Sequence, residues 1–206
     1  MPSKRSLSAS VVFAAFLGIV LLGANVFFVA GAAHANGLPA HQTLPDDVAS
    51  MNHLLNNAFF IELAAEACGT RAAAPDLKYL CDSIHANQVA QIRNVQGTLY
   101  LLTGQRPWNP VLTKKDQGII ENLLFGSFAN AGEFGVAAID AMITKYNDSD
   151  AESSLCANRG FKYQTEHFCR TLNAVDAAQA NAVEDYKTFH FSDIPSNVAP
   201  VHKLHP

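Results

Sequence analysis

Residues 75–104 have the sequence PDLKYLCDSIHANQVAQIRNVQGTLYLLTG. Pro75 suits the first turn of a helix, and Gly104 suits the position just after a helix ends. The segment therefore predicts a helix from Pro75 to Leu102. Its inward stripe combines apolar residues at helical spacing with two glutamines: Leu77, Leu80, Cys81, Ile84, Gln88, Gln91, Ile92, Val95 and Leu99.

The segment before this helix predicts a partner for it. Residues 46–72 place apolar side chains at the same spacing: Met51, Leu54, Leu55, Ala58, Ile61, Ala65 and Cys68. Asp46 and Asp47, which follow Pro45, favour a helix start because acidic side chains stabilise the positive end of the helix dipole. Two long helices joined by a short turn form an antiparallel hairpin, which we assign to residues 36–104.

A second hairpin is predicted for residues 113–190. It follows a linker at residues 105–112 that contains two prolines and the only tryptophan. Thr113 and Asp116 resemble a capping box, and they predict a helix that runs from there to about Tyr146.

Three glycines weaken this third helix. They are Gly126, Gly132 and Gly135. Because glycine costs about 1 kcal/mol relative to alanine inside a helix, we expect a kink or a split near residues 126–132. Beyond Tyr146, the polar residues 147–150 predict a loop, and a short helical piece is expected to hold Cys156.

The two halves of the chain resemble each other. The last helix is predicted over residues 162–189. Residues 60–67 align with residues 134–141, and Gln91 and Gln179 each lie ten positions after a cysteine, as an internal duplication would produce. Four long helices in two similar hairpins predict an all-α fold, an antiparallel four-helix bundle in which both hairpins pack as one domain.

Residues 1–35 have the features of a cleaved secretory signal. Lys4 and Arg5 precede an apolar run at residues 11–33, and the sequence Ala-His-Ala that ends at Ala35 provides small residues for a signal peptidase. The alternative is an uncleaved anchor, because a run of this length can span a bilayer. After cleavage no second apolar run of that length remains. We therefore expect a secreted or extracytoplasmic protein without stable membrane insertion.

The composition excludes several classes of protein. The chain has 206 residues, is 49% hydrophobic and carries a formal net charge of −4. Disordered chains are poor in apolar residues and rich in net charge, so a folded core is expected here. No basic excess is present to neutralise phosphates, so nucleic acid is not expected as a partner.

The four cysteines are Cys68, Cys81, Cys156 and Cys169, and they form two pairs with the same spacing of 13 positions. This spacing favours disulfides Cys68–Cys81 and Cys156–Cys169, although four cysteines allow two other connectivities. A zinc site is disfavoured because its cysteines usually lie two to four residues apart.

Polar residues on the apolar stripes predict a buried polar core. They are Glu62, Gln88, Gln91 and Gln179. A buried amide that lacks a hydrogen bond costs about 1–3 kcal/mol, so these side chains must be paired. Metal-binding carboxylates lie at this depth in ferritin-like bundles. Because glutamine is a poor ligand for the common metals, hydrogen bonds between helices are favoured over a metal site.

No sequence pattern indicates an enzyme. A di-iron centre requires Glu-x-x-His on two helices, and the nearest sequence here is Asp82 followed by His85. The sequence has no Gly-x-Ser-x-Gly nucleophile motif and no glycine-rich phosphate loop. We therefore assign no catalytic residue, and we expect a protein that is not an enzyme.

Histidines provide the candidate metal ligands. The candidates are His85, His190, His202 and His205. Two of them lie in the segment 191–206, which its prolines predict to be irregular. A flexible histidine cluster can bind copper or zinc, usually weakly. The alternative is a solvated tail, and no cofactor is expected.

One sequence suits glycosylation. Asn147, Asp148 and Ser149 form the only Asn-x-Ser/Thr sequence with a permissive middle residue. It falls in the predicted loop at residues 147–150. If the source organism glycosylates secreted proteins, Asn147 is the predicted acceptor.

Residues 56–64 and 82–99 carry a resemblance to a known family. Their sequences, NNAFFIELA and DSIHANQVAQIRNVQGTL, resemble the secreted ferritin-like family called domain of unknown function 305. The matching positions are Glu62, Ala64, Ile84, Gln88, Ile92 and Leu99. The resemblance is good over residues 50–102 and fainter over residues 133–190. It implies a ferritin-like bundle, in tandem copy, at an extracytoplasmic location.

The sequence departs from the family pattern at the metal-binding positions. Some members of the family are implicated in binding copper through histidine and methionine. The paired histidines of the family fall here on Asn56 and Asn57, its methionines on Leu63 and Val95, and its glutamate on Gln91. The resemblance therefore implies that the copper ligands are missing. Glutamine at position 91 keeps the shape of glutamate and removes its charge.

Two functions are expected from these patterns. The first is a non-enzymatic binding or structural module with a protein or small-ligand partner, because the core pattern is intact while the ligand positions hold neutral residues. The alternative is an extracytoplasmic protein that binds copper or another transition metal through its histidine tail.

Overall fold

The computed structural model describes residues 45–105, 108–158 and 163–194. Within these residues the chain is all-helical, as predicted, and forms a helical bundle. The helices are α1 (Pro45–Arg71), α2 (Pro75–Thr103), α3 (Lys114–Phe125), α4 (Ala131–Asn158) and α5 (Tyr163–His190). The predicted signal at residues 1–35 lies outside the described residues. None of the described helices is long and apolar enough to span a membrane.

The first hairpin forms between the residues that its sequence predicts. Pro75 occupies the first turn of α2 after Ala74, which has extended backbone. Gly104 ends the helix in the left-handed conformation, with φ of 70°, and its N–H donates to the carbonyl of Tyr100 at 2.7 Å. The predicted inward residues of α1 are all fully buried: Met51, Leu54, Leu55, Ala58, Ile61, Ala65 and Cys68.

The predicted third helix is split into α3 and α4. Of the two outcomes expected near residues 126–132, the structure shows the split rather than the kink. Gly126 closes α3 with extended backbone. The side chain of Asn130 accepts the N–H of Glu133 at 2.9 Å, and the Glu133 carboxylate accepts the N–H of Ala129 at 3.1 Å. These reciprocal bonds cap the start of α4.

The prediction of a loop at residues 147–150 is wrong, and so is the prediction of a separate short helix around Cys156. Helix α4 continues without a break to Asn158. Part of this polar stretch does not face solvent as a loop would, because Ser149 and Ser153 are fully buried. The exposed Asn147 therefore lies within a helix.

One disulfide joins the two helices of each hairpin. Cys68 is bonded to Cys81, and Cys156 is bonded to Cys169, with Cα–Cα distances of 5.8 and 5.9 Å. The predicted connectivity is confirmed. Each bond links the C-terminal part of one helix to the N-terminal part of the next, so both hairpins are closed at their turns.

Contacts between α1 and α4 show how the hairpins pack. Ser50 donates to the Glu152 carboxylate, and Lys145 lies 5.2 Å from the ring centre of Phe60. The position on α4 falls from 152 to 145 while the position on α1 rises from 50 to 60. The two helices therefore run in opposite directions along their contact.

Helix α3 is held against α1 by Arg71. Its guanidinium donates to the carbonyls of Leu123 and Gly126, the latter at 2.9 Å. It also lies 4.8 Å from the ring centre of Phe134. The planar guanidinium thus satisfies carbonyls at the end of α3 and fixes the turn before α4.

Helix α3 is held against α4 by an ion pair. Asp116 accepts from the side chain of Lys145 at 3.0 Å, and only 10% and 14% of the two side chains is exposed. Asp116 also accepts from the hydroxyl of Thr113, which caps the helix, as the sequence predicts. Asp116 therefore joins the first turn of α3 both to the capping residue Thr113 and to α4.

Candidate functional site

A hydrogen-bonded network of polar side chains lies in the interior of the bundle. Gln88 donates to Gln179 at 2.9 Å and to Gln91 at 3.3 Å. Gln91 donates to Asp176 at 3.2 Å, and the hydroxyl of Tyr146 donates to Gln179 at 2.6 Å. All five side chains are buried, with at most 7% exposure. We call these residues the interior network.

The network follows an internal repeat with a spacing of 88 residues. Residues 81–91 and 169–179 have the same pattern of buried and exposed positions. Four positions of these segments carry identical residues, Cys81 and Cys169, Ala86 and Ala174, Ala90 and Ala178, and Gln91 and Gln179, and Val95 matches Val183 just beyond them. The two disulfides repeat at the same spacing. The predicted match of residues 60–67 with 134–141 has a spacing of 74 and is therefore the wrong register for the fold.

The contacts of the network exchange under this repeat. Adding 88 to Gln88 gives Asp176, and adding 88 to Gln91 gives Gln179. The bond between Gln88 and Gln179 thus corresponds to the bond between Asp176 and Gln91. Exchange of this kind is what a two-fold relation between the halves produces. Asp176 therefore occupies the counterpart of a neutral glutamine position.

A second pair of contacts obeys the same repeat. His85 lies 3.4 Å from the Glu62 carboxylate, and Asn173 donates to Asp150 at 2.7 Å.

Burial raises the pKa of Glu62, although the nearby His85 opposes this shift and Glu66 adds to it. The placement of Glu62 in the buried core therefore needs correction, because 14% of its side chain is exposed and it pairs with His85 at the edge.

Asp176 has the most unusual environment in the network. Its side chain is completely buried. Burial raises its pKa from 3.8 to about 7; the hydrogen bond from Gln91 opposes the shift and the charge of Asp150 adds to it. Its Oδ2 atom and the Oε1 atom of Gln88 receive no hydrogen bond within the described residues. The interior network is therefore short of donors.

Tyr146 supplies a donor from α4. Burial raises the pKa of its hydroxyl well above the usual value, and the charge of Asp176 adds to this. The hydroxyl is consequently neutral at physiological pH and donates to Gln179. Because Tyr146 is completely buried, it also fills the space between the helices with its ring.

The candidate histidines are separated in the structure. His85 pairs with Glu62 on α1, and His190 lies 3.7 Å from Asp76 and is stacked on Tyr186 at 4.2 Å. His202 and His205 lie outside the described residues. Within the part of the chain that the structure describes, no three side chains of His, Cys, Asp or Glu lie close enough together to hold a metal ion.

The sequence predictions named Gln88, Gln91 and Gln179 but missed Tyr146 and Asp176. On α5, Asp176 is buried, whereas Val175 is half-buried and Ala178 is exposed. The repeat of 88 residues contained the signal that was needed. Position 176 follows Cys169 by seven residues, as Gln88 follows Cys81.

No protein-family model matches the chain, and no curated protein matches it significantly. The function must therefore be inferred from the arrangement of its side chains.

Proposed function

We propose that the chain is an extracytoplasmic, non-enzymatic ferritin-like module that acts through binding or structural support. The observation that carries this proposal is the interior network. At the depth where ferritin-like bundles place metal-binding carboxylates, this chain has three amides, one tyrosine hydroxyl and one carboxylate that bond to one another. The network links α2, α4 and α5 directly.

The chemistry of these side chains favours a structural role. Neutral amides are weak ligands for transition metals, and Tyr146 is held in its neutral form. The amide groups of Gln88 and Gln91 already donate within the network. A metal ion bound to the Gln179 oxygen or to Asp176 Oδ1 would have to displace these donors, which costs about 1–3 kcal/mol for each group left unpaired.

The direction of the helices supports ferritin-like connectivity. Contacts of α1 with α4 run in opposite directions, and so do those of α2 with α5, where Asp76 pairs with His190 and Gln91 with Asp176. The connection at residues 104–130 includes α3 and leads from the end of α2 to the start of α4. A single long crossover between two hairpins is typical of ferritin-like folds.

The proposed location rests on the predicted signal at residues 1–35 and on two disulfides, which persist in oxidising compartments. The full-length gene product should be expressed in a secreting host, and the mass of the exported protein should be measured. Loss of 35 residues is expected. A full-length mass in the membrane fraction would support an uncleaved anchor instead.

The proposed role is tested by metal binding. The exported protein, without a tag, is dialysed against Cu²⁺ or Zn²⁺, freed of excess metal and examined by elemental analysis. We expect far less than one ion per chain. A matched variant that replaces His190, His202 and His205 by alanine separates binding by the tail from binding by the interior.

Each outcome has a defined meaning. Metal that is lost in the histidine variant would favour the copper-binding alternative at the tail. One tightly held ion that persists in the variant would contradict the proposed structural role of the interior network.

A further inference from the structure

Asp176 lies where an ionised carboxylate is poorly stabilised. Its side chain is completely buried, and its one hydrogen bond comes from the neutral amide of Gln91 at 3.2 Å. Removing a carboxylate from water is costly unless a cation or several donors replace the lost hydration. A single neutral donor does not replace it.

The groups on α4 and α2 add no positive charge. From α4, the carboxylate of Asp150 opposes ionisation of Asp176, and the hydroxyl of Tyr146 is neutral and directed to Gln179. From α2, the facing group is Gln91. Of these neighbours, Asp150 favours the protonated acid, and only the hydrogen bond from the neutral Gln91 amide favours the carboxylate.

The remaining titratable pair belongs to the other half of the repeat. Glu62 on α1 and His85 on α2 are the counterparts of Asp150 and Asn173. Asp150 is close enough to influence the charge of Asp176. By the repeat, Glu62 and His85 are placed beside Gln88, which is the counterpart of Asp176. Within the described residues, no lysine, arginine or histidine forms an ion pair with Asp176.

The numbers of hydrogen-bond donors and acceptors in the interior network also favour a protonated Asp176. Within the interior network, two acceptor atoms receive no hydrogen bond, Asp176 Oδ2 and Gln88 Oε1. Both belong to side chains that are joined through Gln91. A proton on Asp176 converts one acceptor into a donor, which reduces the shortage of donors in the network.

We propose that the bundle is a proton-dependent switch in which Asp176 is protonated in the closed form and donates into the interior network. Loss of this proton leaves a buried charge and removes one donor from the network. The helix that carries Asp176, α5, then loosens from α2 and α4. Acid closes the bundle, and alkali opens it.

Two measurements on the exported protein test the switch. Carbon-13 NMR of side-chain carboxyls follows the proton on Asp176 directly. Amide hydrogen exchange of α5, corrected for the intrinsic effect of pH, follows opening. For one proton, the opening equilibrium is expected to rise about tenfold per pH unit between about pH 5 and 7, then to level off. The variant Asp176→Asn should remove this rise, while Asp185→Asn, at an exposed site on the same helix, should keep it.

The outcomes separate the switch from a purely structural acid. A carboxyl signal of Asp176 that titrates near pH 7, together with exchange that depends on pH only when Asp176 is present, supports the proposal. A signal that titrates below pH 5 overturns it, and this result does not depend on whether any variant folds. Unaltered pH dependence in Asp176→Asn also overturns it.

Discussion

Gln91 donates a hydrogen bond of 3.2 Å to Asp176, and this contact is the repeat counterpart of the 2.9 Å bond from Gln88 to Gln179. One of these two hydrogen-bonded pairs thus consists of two amides, and the other consists of an amide and an acid. The same backbone relation therefore carries a neutral pair on one side and a titratable pair on the other.

Replacing Asp176 by asparagine should change how stability depends on pH. The folded pKa of Asp176 is raised to about 7, so its contribution to stability is complete below pH 3.8 and is lost as pH rises to about 7. The loss is about 4 kcal/mol, since one pKa unit corresponds to about 1.4 kcal/mol. Asp176→Asn should match the wild type in urea unfolding at pH 4 and exceed it at pH 8.

The exposed variant Asp185→Asn is the control for this comparison. It should follow the wild type at both pH values. An equal difference between Asp176→Asn and wild type at pH 4 and pH 8 would show that Asp176 does not titrate in the folded protein within this range.

Replacing Gln91 by glutamate should destabilise the bundle at pH 8. The change places a second carboxylate beside Asp176 and removes the amide that donates to it. A cost of about 1–3 kcal/mol follows from the lost donor alone. Urea unfolding should show this cost shrinking at pH 4, where protonated Asp176 no longer repels the new carboxylate. Gln105→Glu, at an exposed position, should have little effect at either pH.

Removing either disulfide should cost similar stability. Both bonds close loops of the same length, because the cysteines of each pair are 13 residues apart. For a loop of about this size the chain-entropy estimate is about 3 kcal/mol. Denaturant unfolding of the double alanine variants Cys68/Cys81 and Cys156/Cys169 checks this. A variant that keeps wild-type stability would indicate that its bond does not form in the native protein.

Replacing Arg71 by alanine should release α3. The change removes two hydrogen bonds to the carbonyls of Leu123 and Gly126 and the contact with Phe134. Amide exchange in α3 should rise, and the unfolding free energy should fall by about 1–3 kcal/mol. Arg93→Ala, at an exposed site on α2, is the matched control. If both variants behave alike, Arg71 does not hold α3.

The first hairpin and the disulfides could be predicted because their signals are local. Pro75 and Gly104 act on the backbone at their own positions, and the inward residues of α1 repeat at helical spacing. The shared spacing of 13 residues between cysteines indicated the pairing. Such features depend little on the rest of the fold.

The second hairpin was harder to predict because some of its polar residues are buried or are paired with another helix. A loop was predicted at Ser149 and Asp150, yet Ser149 is completely buried and the Asp150 carboxylate accepts a hydrogen bond from Asn173. Asp176 was missed because an acid on a helix normally faces solvent. Its hydrogen-bond partner in the interior, Gln91, lies 85 residues away in the sequence.

The most direct test of the account is anomalous X-ray diffraction from crystals of the exported protein soaked in Cu²⁺. The account predicts no copper peak among Gln88, Gln91, Tyr146, Asp176 and Gln179, whose hydrogen bonds should persist. A copper peak at coordination distance, about 2.0–2.5 Å, from these oxygen or nitrogen atoms would contradict it and make the interior a metal site.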